Sequence, residues 1–437
     1  MKILDIAEPK VLLDSILEIS LLETGNRGAR EHWQQTQFRN LIKYVSQRST
    51  FWKKRIGQKK PSDVKLTALP ILTRQDVREQ LAMEGSLLRA SDGMAASTRS
   101  TSGSTGTPLR FWNSEMNGRY NDVRSLAQYF IEGRDLSFNR TRIKLSDGVL
   151  KSGFSVANSL SYLGPLASLI KSGTNKHIEY VSLDFEKLRQ ELEKNDIGYL
   201  VCAPRPLEGL FSVVDPAFLK NANTKMWVSL SQAVSGDMAR IFADLQIPIR
   251  ANYSSEEVGS IGYECATCPG HYHVATSNVI VEVVDAGYEI GGVRCGKVLV
   301  THLHSYATPF IRYDLGDLAC LEDTCPCGHS GATIHHLHGR VSSVVKHRDG
   351  RVSPFGIRGG ELSSLVEFAE YRIRQTTFEK LVVEFGGRTE ITAHEIAAVT
   401  EYLKSRVGSE FEIDIKACQE IDWGENRKRD GFRCEVA

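Results

Sequence analysis

Between residues 120 and 250, short apolar runs alternate with segments of helical period, and this alternation limits the fold more than any other feature. Ile197-Gly198-Tyr199-Leu200-Val201-Cys202 and Lys225-Met226-Trp227-Val228-Ser229-Leu230 are two such runs. Runs of this length read as strands. Strands interleaved with helices predict an α/β domain with mostly parallel strands. Upstream, Phe38, Leu41, Ile42 and Val45 recur at i, i+3, i+4 and i+7. That spacing predicts a helix over 29–47 with one apolar face. Pro70-Ile71-Leu72 reads as a connector, and Thr73 is placed to cap a helix from Arg74. The C-terminal stretch has a different character. Thr392 and Glu395 form a capping box, Ile396, Val399, Leu403 and Val407 make the buried side of its helix, and Gly408 ends it. Phe411, Ile413 and Ile415 alternate with Glu412, Asp414 and Lys416 as a half-buried strand, and Leu381–Phe385 reads as another.

At 437 residues the chain can hold one large domain and one small one. We place them at 1–342 and 343–437. Charged residues make up 24%, the net charge is +1 and the apolar fraction is 41%. This balance carries no electrostatic footprint for nucleic acid or an anionic membrane. The longest mildly apolar stretch, Leu160–Ile170, is too short to span a bilayer. Met1–Leu13 carries acids and lacks a signal-peptide core, so the expected location is the cytoplasm. The nine cysteines are an odd number, and in such a chain they are expected free or metal-bound.

The densest chemical signal is Ser100-Thr101-Ser102-Gly103-Ser104-Thr105-Gly106-Thr107-Pro108, ahead of the strand-like Leu109-Arg110-Phe111-Trp112. Glycines let backbone N–H groups approach an anion closely, and hydroxyls add rotatable donors. The run lacks the Gly-Lys-Ser/Thr ending of a Walker A loop, which excludes a P-loop NTPase. Four further segments follow in order. They are Val234-Ser235-Gly236-Asp237 and Asn252-Tyr253-Ser254-Ser255-Glu256-Glu257-Val258-Gly259. Then come Pro309-Phe310-Ile311-Arg312-Tyr313-Asp314-Leu315-Gly316-Asp317 and Gly339-Arg340-Val341-Ser342-Ser343-Val344-Val345-Lys346, with Asp349-Gly350-Arg351-Val352.

As an ordered set these five segments resemble the adenylate-forming superfamily, in its phenylacetate–CoA ligase-like branch with capsule-biosynthesis relatives. The resemblance implies a large α/β adenylation domain with mixed sheets and helices, plus a small α+β lid. It implies activation of a carboxylic acid by ATP as an acyl-adenylate, then transfer of the acyl group to a thiol, foremost CoA. In that chemistry Thr101, Ser102, Gly103, Ser104, Thr105, Gly106 and Thr107 hold the β/γ-phosphates. Ser235 and Gly236 join the nucleotide set, Tyr253 stacks on adenine, and Asp317 accepts from the ribose hydroxyls. Arg340 contacts ribose or phosphate, and Glu257 is the Mg²⁺-associated carboxylate. Phe154, Tyr162, Phe211 and Trp227 are candidates for lining the acid pocket.

Several branch members also carry a Cys…His…Cys-x-Cys zinc site. By register its ligands here are Cys265, His273, Cys325 and Cys327, within residues 265–327, with Cys268 and His271 as alternates. Four protein ligands imply a structural Zn²⁺. Two positions depart from the pattern. Ser342 and Ser343 stand where the hinge carries an acidic residue. The tail Arg427-Lys428-Arg429-Asp430-Gly431-Phe432-Arg433 lacks the lysine that reaches the α-phosphate. Lys428 is the nearest replacement, or else one member of a solvated basic cluster. Other outcomes are acyl transfer to an amine or a carrier protein, adenylyl transfer to a hydroxyl, and a non-catalytic nucleotide-binding protein.

Overall fold

The structure is a computed structural model. It describes residues 4–436 apart from 90, 91, 93, 102–107, 147–152, 182, 195, 291, 341–343, 356–361, 363, 364 and 424–430. Its strands in chain order are β1 Ala96–Ser100, β2 Arg110–Ser114, β3 Arg140–Leu145, β4 Phe154–Ser159, β5 Asn175–Tyr180, β6 Gly198–Cys202, β7 Thr224–Leu230, β8 Ile249–Ser255, β9 Gly259–Glu264 and β10 Tyr272–Val274. They continue as β11 Val279–Ile290, β12 Val293–His302, β13 Tyr313–Glu322, β14 Thr333–Arg340, β15 Val344–Lys346, β16 Val352–Pro354, β17 Glu370–Thr377, β18 Lys380–Gly386, β19 Glu412–Cys418 and β20 Phe432–Cys434.

Twelve strands form one sheet in the order β11-β12-β13-β14-β10-β9-β8-β7-β6-β3-β5-β4. From β5 to β8 the neighbours are parallel, as the alternation predicted. Helices Phe185–Glu193, Pro204–Phe211 and Gly236–Asp244 supply the crossovers that parallel strands require. From β8 to β11 every pairing is antiparallel. Ile178, Leu188, Leu200, Leu207, Trp227 and Phe242 form the core of the parallel half. The helix Arg27–Arg48 buries Phe38, Leu41, Ile42 and Val45, the predicted face, against the antiparallel half.

The C-terminal region is a four-stranded sheet, β19-β18-β17-β20, covered by the helix Ala393–Val407. Thr392 and Glu395 close the predicted capping box, and Gly408 ends the helix at φ +126°. Val399, Leu403 and Val407 are buried against Leu381, Val383, Phe385 and Phe411. Ile396, predicted to join them, stands in the first turn and is 39% exposed, so the buried stripe begins one turn later. A large mixed α/β region with a smaller C-terminal α+β region is the architecture expected from the sequence. Among the described residues, no helix is long and apolar enough to cross a membrane.

Candidate active site

A long-range backbone tie builds one side of the site. Leu72 N–H donates to the Arg312 carbonyl at 2.9 Å, and Asp314 N–H donates to the Leu72 carbonyl at 3.0 Å. The connector is thereby fastened to the start of β13. Thr73 then caps the helix Arg74–Glu84 in a reciprocal box with Asp76. Arg74 is the first residue of that helix, and its guanidinium lies 2.6 Å from Thr101 Oγ1 and 3.9 Å from Glu257 Oε1. The Tyr313 hydroxyl donates to the same Glu257 oxygen at 3.1 Å. Glu257 sits in the turn between β8 and β9 and is only 6% exposed.

Thr101 forms the neck of the glycine-rich hairpin between β1 and β2. Its N–H donates to the Leu109 carbonyl, and Leu109 N–H donates to its hydroxyl, both at 3.0 Å. Ser102, Gly103, Ser104, Thr105, Gly106 and Thr107 lie outside the described residues, as does Lys428. Ser342 and Ser343 also lie outside them.

On the other side, the Tyr253 hydroxyl donates to Asp317 Oδ2 at 2.6 Å. Tyr253 is on β8 and Asp317 on β13, four places apart in the sheet order. At roughly 4.8 Å per strand a flat sheet would hold them about 19 Å apart, beyond the reach of two side chains. The sheet is therefore strongly curved here, and this contact closes the curve. Gly316, at φ +76°, precedes Asp317, and Asp317 pairs in register with Arg340 of β14. Ser235 caps the helix Gly236–Asp244 through Met238 N–H, beyond the carboxyl end of β7. Tyr253 lies toward the carboxyl end of the parallel neighbour β8. Open parallel sheets bind ligands in the crevice outside such strand ends.

The sequence-predicted residues thus divide into three groups. Thr101 and Glu257 meet through Arg74, Tyr253 meets Asp317 directly, and Ser235 and Gly236 stand at a neighbouring strand end. Arg74 and Tyr313 were not singled out from sequence. Tyr313 lies within the Pro309–Asp317 segment but carries no assigned role there, and nothing local marks Arg74, which the Leu72 tie brings to Glu257. Of the aromatic acid-pocket candidates, Trp227 is fully buried with Nε1 donating to the Cys202 carbonyl at 3.1 Å, and Tyr162 is buried with Leu163 and Leu166. Both are core residues. Phe154 and Phe211 pack at the edge of the Trp227 cluster.

A second cluster lies where β9, β10 and the segment before β14 meet. The ligand atoms of Cys265, His273, Cys325 and Cys327 all fall within 4.8 Å of one another. Cys327 Sγ is 3.4 Å from His273 Nε2. Bonds of about 2.3 Å to sulfur set tetrahedral ligand atoms roughly 3.8 Å apart, so three sulfurs and one imidazole at this separation fit a tetrahedral zinc ion. Burial, with Arg30 and His271 nearby, pushes His273 below the ordinary imidazole value, which keeps the ring in its neutral, ligating form. Burial works to raise the Cys265 thiol, but hydrogen bonds from Thr267 and Cys268 outweigh it and bring the thiol down to about 7. Cys325 is pushed up to about 12, first by burial. His329 stacks on His273 with ring centroids 4.1 Å apart. Cys268 and His271, the alternates, are outside this set.

No protein-family model matches the sequence, and no curated protein matches it. Solved structures do match. A 2-hydroxyisobutyryl-CoA ligase in its postadenylation state, with R3-HIB-AMP, aligns at TM-score 0.63 and 16% identity over 95% of this chain and 91% of that one. An open conformation of the ligase, with 2-HIB-AMP and CoA, aligns at 0.57 and 16% over 94% and 93%. This is the adenylate-forming ligase fold. An acyl acid amido synthetase shares it at TM-score 0.53 and 13% identity, over 88% of this chain and 85% of that one.

Proposed function

We propose that the protein is an ATP-dependent, AMP-forming acid–thiol ligase, with residues 1–342 as the adenylation unit and 343–437 as its lid. The observation that supports this reading is the pair of contacts in which Arg74 reaches both Thr101, at the neck of the glycine hairpin, and buried Glu257, while Tyr253 bonds Asp317. A carboxylate oxygen of the acid attacks the α-phosphorus of ATP, the bond to pyrophosphate breaks, and an acyl-adenylate forms. Negative charge grows on the transferring and leaving phosphates, so donors fixed beforehand contribute most. The hairpin Thr101–Thr107 supplies N–H and hydroxyl donors, and Arg74 adds a cation at its base. Mg²⁺, when bound, would shield the phosphate charge, and Glu257 would hold it, directly or through water.

Asp317 has two carboxylate oxygens with about four acceptor sites, so it can keep the Tyr253 bond and still receive ribose hydroxyls. In this reading Tyr253 stacks on adenine, and Arg340, whose backbone pairs in register with Asp317, contacts ribose or phosphate. Lys428 remains the candidate for the absent lid lysine. Cys265, His273, Cys325 and Cys327 would hold a structural Zn²⁺ that pins β9 and β10 to the segment before β14. Similarity to a 2-hydroxyisobutyryl-CoA ligase favours a small carboxylic acid and CoA as partners.

The test is acid-dependent exchange of labelled pyrophosphate into ATP across aryl, arylacetic, branched and hydroxy acids, followed by AMP release with CoA. Exchange with one acid class, and AMP release that requires CoA, supports the proposal. AMP release driven by an amine instead would move the acceptor toward the amido synthetase reading. Absence of exchange with every acid would overturn the activity.

A further inference from the structure

Cys295 on β12 and Cys320 on β13 lie outside the zinc-type cluster, and their sulfurs are 3.5 Å apart. The pairing Gly296↔Ala319, carried one residue outward, sets Cys295 directly opposite Cys320. Directly opposed residues of antiparallel strands have Cα atoms about 4.5 or 5.5 Å apart, inside the range of about 4.4–6.8 Å that a disulfide spans. The sulfurs are thus already in van der Waals contact, and a side-chain rotation brings them toward the roughly 2.05 Å of a disulfide. Cys295 is buried, whereas Cys320 is partly open to solvent. Cys320 Sγ also lies 3.3 Å from the Arg294 carbonyl, which holds it on the Cys295 side.

We infer that Cys295 and Cys320 are an oxidisable pair, a modification site at which a peroxide forms a cross-strand disulfide. Cys320, the accessible partner, attacks one peroxide oxygen as thiolate. The O–O bond breaks, hydroxide leaves and takes a proton, and a sulfenic acid forms. Cys295 gives up its proton and its sulfur attacks Cys320 sulfur. The S–O bond breaks and a second water departs. Two thiols and one hydrogen peroxide become one disulfide and two waters, with both sulfurs oxidised by one electron and both peroxide oxygens reduced. Burial, together with the neighbouring Cys320, pushes the Cys295 thiol up to about 12, so the more accessible Cys320 takes the first step and Cys295 follows from its position against that sulfur. The strands are already paired, so bond formation asks for no backbone rearrangement.

The test uses the full-length protein supplied with zinc. It is treated with hydrogen peroxide, denatured with N-ethylmaleimide to block remaining thiols, digested, and mapped by mass spectrometry. The expected product is a linked peptide pair containing Cys295 and Cys320, two hydrogens lighter than the free peptides and released by dithiothreitol. In Cys320→Ser, Cys295 is expected to be recovered as its maleimide adduct. In Cys295→Ser, Cys320 is expected to stop at sulfenic acid, trapped by dimedone. Recovery of both cysteines of the unaltered protein as adducts after peroxide would overturn the proposal. So would Cys320 found as sulfinic acid beside a free Cys295, or joined to another cysteine.

Discussion

Replacing Arg74 by Met tests the site at the point sequence did not reveal. Methionine keeps much of the stem and removes the charge. In the structure that charge stands 3.9 Å from Glu257 Oε1 and 2.6 Å from Thr101 Oγ1. At an effective dielectric of about 20, one pair at this distance interacts by about 4 kcal/mol before solvation. Arg74 is 22% exposed at its side chain, so desolvation offsets much of that gross attraction. A hydrogen bond to a charged group contributes about 1.5–3 kcal/mol net, and the loss expected for Arg74→Met is of this size. That corresponds to a fall of about 10- to 100-fold in kcat/KM for ATP. The assay is acid-dependent pyrophosphate exchange, with the melting temperature as a folding control. Arg74→Lys is expected to recover part of the loss, because it keeps the charge without the planar fork. Exchange within about twofold of the unaltered protein in Arg74→Met, with folding intact, would refute the reasoning.

Three further outcomes are expected. Cys327→Ser removes one ligand atom from the metal cluster, and metal analysis of the purified protein should fall from near one zinc per chain to well below it; equal zinc in both would sink the assignment. Thr392→Ala removes the cap of the Ala393–Val407 helix and should lower stability by about 1 kcal/mol, read from urea unfolding followed in the C-terminal region. Arg372 forks onto Glu384 across β17 and β18 with bonds of 2.7 and 2.9 Å and, as the leading cause, holds its carboxyl below the usual range. That contribution is present above the unfolded carboxylate value and is lost as pH falls through the lower, folded value. Glu384→Gln should therefore destabilise by about 1 kcal/mol at neutral pH and converge with the unaltered protein in acid. A gap that persists unchanged into acid would contradict the sign.

Much of this molecule was legible in its residues because the relevant signals are local. The period of Phe38, Leu41, Ile42 and Val45, the Thr73 and Thr392 caps, and the apolar runs at 197–202 and 225–230 each act within one element. Two short clusters of thiols and imidazoles were legible as a candidate metal site, but the residues alone left Cys268 and His271 open beside Cys265, His273, Cys325 and Cys327, the four that the resemblance implied and the structure brings together. Long-range geometry was not legible. The Leu72–Tyr313 bridge that delivers Arg74, the Tyr313 hydroxyl on Glu257, and the curvature that joins Tyr253 to Asp317 all depend on segments far apart in the chain. Ile396 has the right angular position on its helix, but burial at a helix end depends on what covers that end. The Cys295 and Cys320 facing follows from strand register, which alternation alone does not set between two distant strands.

Under the proposed function Thr101–Thr107, Glu257 and Asp317 bind one ATP. Calorimetric titration of the full chain with ATP and magnesium tests it most directly, alongside Asp317→Ala. Losing the ribose acceptor should weaken binding by about 1.5–3 kcal/mol, or about 10- to 100-fold, while the unaltered protein takes up one nucleotide per chain. No heat of binding in the unaltered protein, or an identical dissociation constant in Asp317→Ala, would contradict it.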